Sequence, residues 1–227
     1  MEGDTERFVV FHSDYRRISF FSATLWSSTT DNMSGTSMTL KTRKGTIMQE
    51  RVVLGLDIST STIGMCGISL KKELKFLSYV TLKKQKGLYS KADAFKEELL
   101  KYKDIVTDVA IEEPLVMYKD GFSRAQILSM LSQFNGMCGM LSYFIYNTEP
   151  VMYNVNTARK LAVPEMKFPK GSNRKFIVQE NMESKYPEID WPLKRTGTLK
   201  DECYDMADAM IIALAHVETL LKGEQQL

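Results

Sequence analysis

The chain has 227 residues, 44% hydrophobic and 26% charged, which suits a globular protein with one proper core and room for a tail. Its formal net charge of +2 does not announce a nucleic-acid partner, although a basic face beside an acidic pocket is compatible with it. Cys66, Cys138 and Cys203 are odd in number, far apart and without CxxC spacing, which argues against a disulfide framework and a zinc site and for a reducing, intracellular (cytoplasmic) compartment. No apolar run reaches the roughly 18 residues of a membrane span, so no membrane partner is expected.

Residues 1–47 differ from the rest: Ser and Thr crowd 19–46, acids are scarce after Asp14, and Arg16, Arg17, Lys41, Arg43 and Lys44 are basic. They read as a disordered extension, or as leader sequence upstream of a start at Met48. The same composition suits an organelle transit segment, which stays open as a second reading. The organised domain is expected over 48–222, with 223–227 as a short tail. Its strands are predicted at 52–58, 63–70 and 75–82, an antiparallel meander broken by the polar turn Lys71-Lys72-Glu73. A basic loop over 83–90 precedes a helix over 91–102, where Ala92, Phe95, Leu99 and Leu100 fall at helical spacing. Strand four is 108–113, stopped by Pro114.

A loop over 115–121 leads into a long helix over 123–147, whose Asn135, Gly136 and Gly139 lower helix propensity and invite close packing by another helix or another subunit. Strand five is 151–155. Asn156-Thr157-Ala158-Arg159-Lys160 reads as a cap and short helix, a basic loop follows, then an amphipathic helix through Tyr186 and a last helix over 199–221. The order βββ-α-β-α-β-α-α belongs to an α/β protein with a five-stranded mixed sheet and helices on both faces.

Chemistry concentrates in acids beside apolar segments. Asp57 closes the run Val52-Val53-Leu54-Gly55-Leu56, and Glu112 and Glu113 close Val109-Ala110-Ile111. Side chains alternate along a strand, so only one of that glutamate pair can face a common site. Asp205 and Asp208 stand three apart, on one face of a helix that is otherwise apolar through Met206, Ala207, Ala209, Met210, Ile211 and Ile212. Ala209 is small enough to let that helix press on the sheet. Carboxylates beside a core need compensation, and a divalent cation is the usual one. Paired Mg²⁺ ions, for which Mn²⁺ can substitute, sit about 4 Å apart in phosphodiester-cutting sites, so a metal-dependent nuclease is expected. His216, two turns beyond Asp208, is too far along the helix to join them.

Leu54-Gly55-Leu56-Asp57 with Gly64 and Ile68, Ala110-Ile111-Glu112, and Asp205-Met206-Ala207-Asp208-Ala209 through Ala213-Leu214-Ala215-His216 together resemble the RuvC family of Holliday-junction resolvases, within the RNase H-like superfamily. Gly136 also falls where that family has a glycine. The resemblance spans roughly residues 51–218 and is to the viral and phage branch, because Ile58-Ser59 follows the first Asp where housekeeping enzymes have Pro-Gly. It implies a homodimer that binds branched DNA and cuts opposing strands of a four-way junction with Mg²⁺, leaving 5′-phosphates, in recombination and repair. Asp57, Glu112, Asp205 and Asp208 would hold two ions, and the resemblance favours Glu112 over Glu113. The family's long helix contributes to its dimer contact. Its base-stacking aromatic falls at Leu115 here, so Tyr118 or Phe122 would have to take that part. Lys119, Arg124, Lys167, Lys170, Arg174 and Lys175 are the candidate DNA contacts.

Other readings compete. Asp57-Ile58-Ser59-Thr60-Ser61-Thr62 resembles the phosphate-gripping hairpin of actin- and sugar-kinase-type ATPases, which need a second such domain and more chain. The same fold could instead serve flaps, replication forks or RNA–DNA hybrids, or bind DNA without cutting it.

Overall fold

The structure, a computed structural model, describes residues 50–114 and 122–225, excluding the side chains of 122–124. The expectations for 1–47, for Tyr118 and Lys119, and for the side chains of Phe122 and Arg124 fall outside that description.

Strands β1 (Val52–Ile58), β2 (Thr62–Ser69) and β3 (Leu74–Thr81) form the antiparallel meander, with Asp57 opposite Gly64 in the register. Helix α1 (Leu88–Leu100) returns the chain so that β4 (Asp108–Glu112) lies parallel to β1. Helix α2 (Phe122–Tyr146) and the short edge strand β5 (Val151–Tyr153) repeat that crossover on the far side of β4. The five-stranded mixed sheet runs β3-β2-β1-β4-β5. Three helices follow: α3 (Val155–Ala162), α4 (Arg174–Lys185) and α5 (Glu202–Glu224).

Two details of the expected order are corrected. The short helix expected after β5 is a full element missing from the βββ-α-β-α-β-α-α order, two turns over 155–162 capped by the Asn154 side chain, upstream of the Asn156 cap expected, and β5 ends at Tyr153 instead of 155. Helix α1 starts at Leu88, so Tyr89 and Ser90 belong to its first turn and the basic loop is shorter than 83–90.

Alternation along the strands feeds two cores. Leu54, Leu56, Ile63, Met65 and Ile111 pack with Phe95 and Leu99 of α1 and Phe134 and Cys138 of α2. Val53, Cys66, Ile68 and Ala110 point the other way, to α3, α4 and the buried face of α5. Each fully buried Leu, Ile or Phe contributes about 1.5–3 kcal/mol, enough to fix the register against a one-residue slip that would turn both faces inside out. Asp57 shares its side of β1 with Val53 and Gly55, and Glu112 shares its side of β4 with Ala110, so both carboxylates face α5. Among the described residues, no helix is long and apolar enough to cross a membrane.

Candidate functional site

Parallel pairing of β1 with β4 in the register Leu56↔Ile111 brings Asp57 and Glu112 to the same edge of the sheet. Helix α5 reaches that edge because two glycines let it lie directly on the strands. A Cβ at Gly55 would overlap the Ala209 carbonyl oxygen, and one at Gly64 would overlap the Asp205 carbonyl oxygen. Gly64 is itself the register partner of Asp57, so the backbone of Asp205 rests on the strand residue facing the first carboxylate.

The four acids feel one another's charge. Burial, followed by the charges of Glu112, Asp208 and Asp205, holds the Asp57 carboxyl well above the usual carboxylate range. Burial and then Asp208 push Glu112 up to about 7, against the opposing pull of Arg159 and Lys175. Burial also raises Asp205, again opposed by Lys175. Glu113 turns away, and its backbone N–H extends the pairing to β5 by donating to the Tyr153 carbonyl.

Two cations enter the cluster. Arg159 of α3 donates from Nη2 to Asp208 Oδ1, and Lys175 of α4 donates from Nζ to Asp205 Oδ1 at 3.3 Å. Burial would lower the Lys175 pKa, yet the charges of Asp205, Asp57 and Asp208 outweigh it and raise the group. Among the described residues no three His, Cys, Asp or Glu side chains stand close enough together to share one ion in this arrangement, and Asp205 and Asp208 are turned toward their cations. Asp57 and Glu112 nevertheless have no ion-pair partner among the described residues, so that protons take the place of a cation there, and an all-oxygen donor set suits a hard divalent ion. The donor chemistry therefore fits Mg²⁺ or Mn²⁺, with Asp57, Glu112, Asp205 and Asp208 as the residues that could hold it.

The same arrangement of strands and helices occurs in solved structures. Over 76% of this chain and 96% of the other, it is similar to T. thermophilus RuvC in complex with Holliday junction substrate, at 17% identity and a TM-score of 0.56. A second Thermus thermophilus RuvC structure matches over the same shares at 14% identity and a TM-score of 0.52. The chain has a RuvC-like RNase H fold. Neither a family model nor a curated protein matches the sequence.

Within this RuvC-like frame the basic residues divide. Among the described residues, Lys175 is the one candidate DNA contact that pairs with a site acid, while Lys167, Lys170 and Arg174 are exposed on the α3–α4 loop and the first turn of α4. Phe168 ties that loop to the site, with the guanidinium of Arg159 at 5.5 Å and that of Arg174 at 5.7 Å from its ring centre. Arg159 is a site residue that no motif in the sequence marks. Its helix buries Ala158 and Ala162, which puts the guanidinium on the inner side, a placement that only the packing of α3 reveals. His216 is no part of the site: it is buried, with Nδ1 bonded to the Tyr153 hydroxyl at 3.0 Å.

Proposed function

We propose that the protein is a structure-selective endodeoxyribonuclease that resolves four-way DNA junctions by Mg²⁺-dependent hydrolysis, leaving 5′-phosphates. The observation that carries this reading is the meeting of Asp57, Glu112, Asp205 and Asp208 at one sheet edge of a RuvC-like fold, where burial and the charges of the neighbouring acids raise the proton affinity of Asp57, Glu112 and Asp205. When bound, a pair of divalent ions would activate water and stabilise the leaving oxygen. Asp57 and Glu112 are the rigid half of the site, fixed by the β1–β4 pairing. Asp205 and Asp208 are the adjustable half, held by Lys175 and Arg159 until a cation takes over their charge. Lys175, once released from Asp205, is free to meet a phosphate at the same edge, and Lys167, Lys170 and Arg174 extend that positive surface along the α3–α4 segment. Lys119 and Arg124, and Tyr118 or Phe122 as base-stacking aromatics, complete the proposed contacts.

A homodimer belongs to this reading, since paired cuts need two sites. Its support is the apolar patch that α2 leaves uncovered near its C-terminal end, with Met140 and Tyr143 exposed and Phe144 71% exposed.

The test is incubation of a labelled four-way junction, linear duplex, flap and RNA–DNA hybrid with Mg²⁺ or with EDTA. Paired symmetric nicks on the junction alone, abolished by EDTA, are the expected result. Cutting confined to flaps or hybrids would move the function within the same fold, and ATP turnover without any cutting would favour the ATPase reading.

A further inference from the structure

The β3–α1 segment is a second basic element at the acid edge. Because β3 runs parallel to β1, its C-terminal end and the residues after it emerge where Asp57 does. The segment is anchored there: Leu82 N–H donates to the Ser61 carbonyl at 2.8 Å, and Lys91 Nζ donates to the Thr60 carbonyl. Lys83 reaches Glu202 at the start of α5 and lines, with Lys175 and Asp205, a cleft of about 410 Å³ that also takes in Ser59 and Ser61.

Beyond that cleft Lys84 and Lys86 are exposed and have no acidic partner among the described residues. Three residues after Lys86 stands Tyr89, 83% exposed on the first turn of α1, the most exposed large apolar side chain among the described residues. A ring left in water beside unpaired lysines gains nothing for folding. It has the composition of a strand-binding platform, in which cations hold phosphates and an aromatic face receives a base.

We propose that Lys84, Lys86 and Tyr89 form a second DNA contact flanking the acidic site, the lysines on backbone phosphates and the Tyr89 ring against a base unstacked at the branch. The proposal rests on the nuclease reading above, and adds to the α3–α4 contacts a second grip beyond the cleft that Lys83 and Lys175 line. Single-stranded character at the branch is what gives the ring its ligand; in a continuous duplex the bases are stacked away from it.

The experiment is fluorescence anisotropy of the full-length protein in EDTA, with a labelled four-way junction and a duplex of the same arm sequence, across a salt series. The variants are Lys84→Gln with Lys86→Gln, Tyr89→Ala, and Lys71→Gln on the β2–β3 turn at the opposite edge. The double glutamine variant should bind both DNAs about tenfold more weakly and lower the salt slope by about 2, near 0.9 for each phosphate no longer neutralised. Tyr89→Ala should weaken junction binding about tenfold and duplex binding little, with the slope kept. Lys71→Gln should match wild type, and circular dichroism should confirm that all variants fold. Wild-type affinity and slope in the double variant would overturn the surface while leaving the nuclease reading intact. Failure of the wild type itself to bind the junction would instead sink both.

Discussion

Arg159 Nη2 donates to Asp208 Oδ1 at 3.0 Å, and the two side chains are 11% and 7% exposed, so a guanidinium is held inside the acid cluster. Its Nε is buried and has no hydrogen-bond partner among the described residues. Removing one partner of a buried pair leaves the other's charge uncompensated, at a cost of about 3–5 kcal/mol. Arg159→Met should therefore lower metal-free stability by about 3 kcal/mol in urea unfolding, and Mg²⁺ should restore more of it than it adds to wild type. Equal losses with and without Mg²⁺ would mean that Arg159 matters only for packing.

Gly64→Ala tests the contact that sets the site's depth. The new methyl would meet the Asp205 carbonyl, part of helix backbone that cannot rotate away. Overpacking of this kind costs about 1–3 kcal/mol, and any relief must lift the start of α5 from β2. We expect a lower melting temperature together with weaker Mg²⁺ binding by calorimetry. Wild-type metal affinity in a destabilised variant would separate the helix contact from the site.

Protons and cations should compete for the cluster. The Glu112 carboxyl lies at about 7, and Asp57 is also raised, so the folded metal-free protein binds more protons than the unfolded chain above the ordinary carboxylate range. Stability from these groups is fully present below the unfolded value of about 4 and is lost as pH rises through about 7. In EDTA, melting temperature should fall between pH 5 and 8, on the order of those limits. Mg²⁺ should flatten that fall, because it compensates the ionised form. At limiting Mg²⁺, cutting should rise through about pH 7, with the midpoint moving lower as Mg²⁺ is raised. A melting temperature that climbs over the same range in EDTA would contradict the shared burial of Asp57 and Glu112.

The uncovered face of α2 gives a prediction about assembly. Met140→Glu with Phe144→Glu should shift the sedimentation-equilibrium mass from two chains to one, and paired nicks should become single, unlinked ones. A wild type that stays monomeric at cutting concentrations would remove the homodimer from the proposal.

Much of this site was legible because its signals are local. The run ending at Asp57, the stop at Pro114 after Glu112 and the apolar helix around Asp208 each show in a few consecutive residues, and the three strands of the meander fall within one residue of their expected bounds. Arg159 was not legible, because its partner lies 49 residues away and the pairing depends on how α3 and α5 cross. Lys175 was visible as a basic residue, but its place beside Asp205 is a product of the same packing. The start of α1 is hard to read because no side-chain cap marks it, and Leu88, in phase with Ala92, Phe95 and Leu99, follows the turn-forming Gly87.

The central claim is most directly tested by Asp57→Asn beside wild type on a labelled four-way junction, with cutting measured in Mg²⁺ and binding measured in EDTA. The substitution keeps the shape and removes one charge from the rigid half of the site. Cutting should drop by a factor of about 10²–10³, the range that loss of one transition-state-stabilising group commands, while junction affinity stays within about twofold because the basic surface is untouched. Undiminished cutting by Asp57→Asn would contradict a catalytic metal site built on this edge of the sheet.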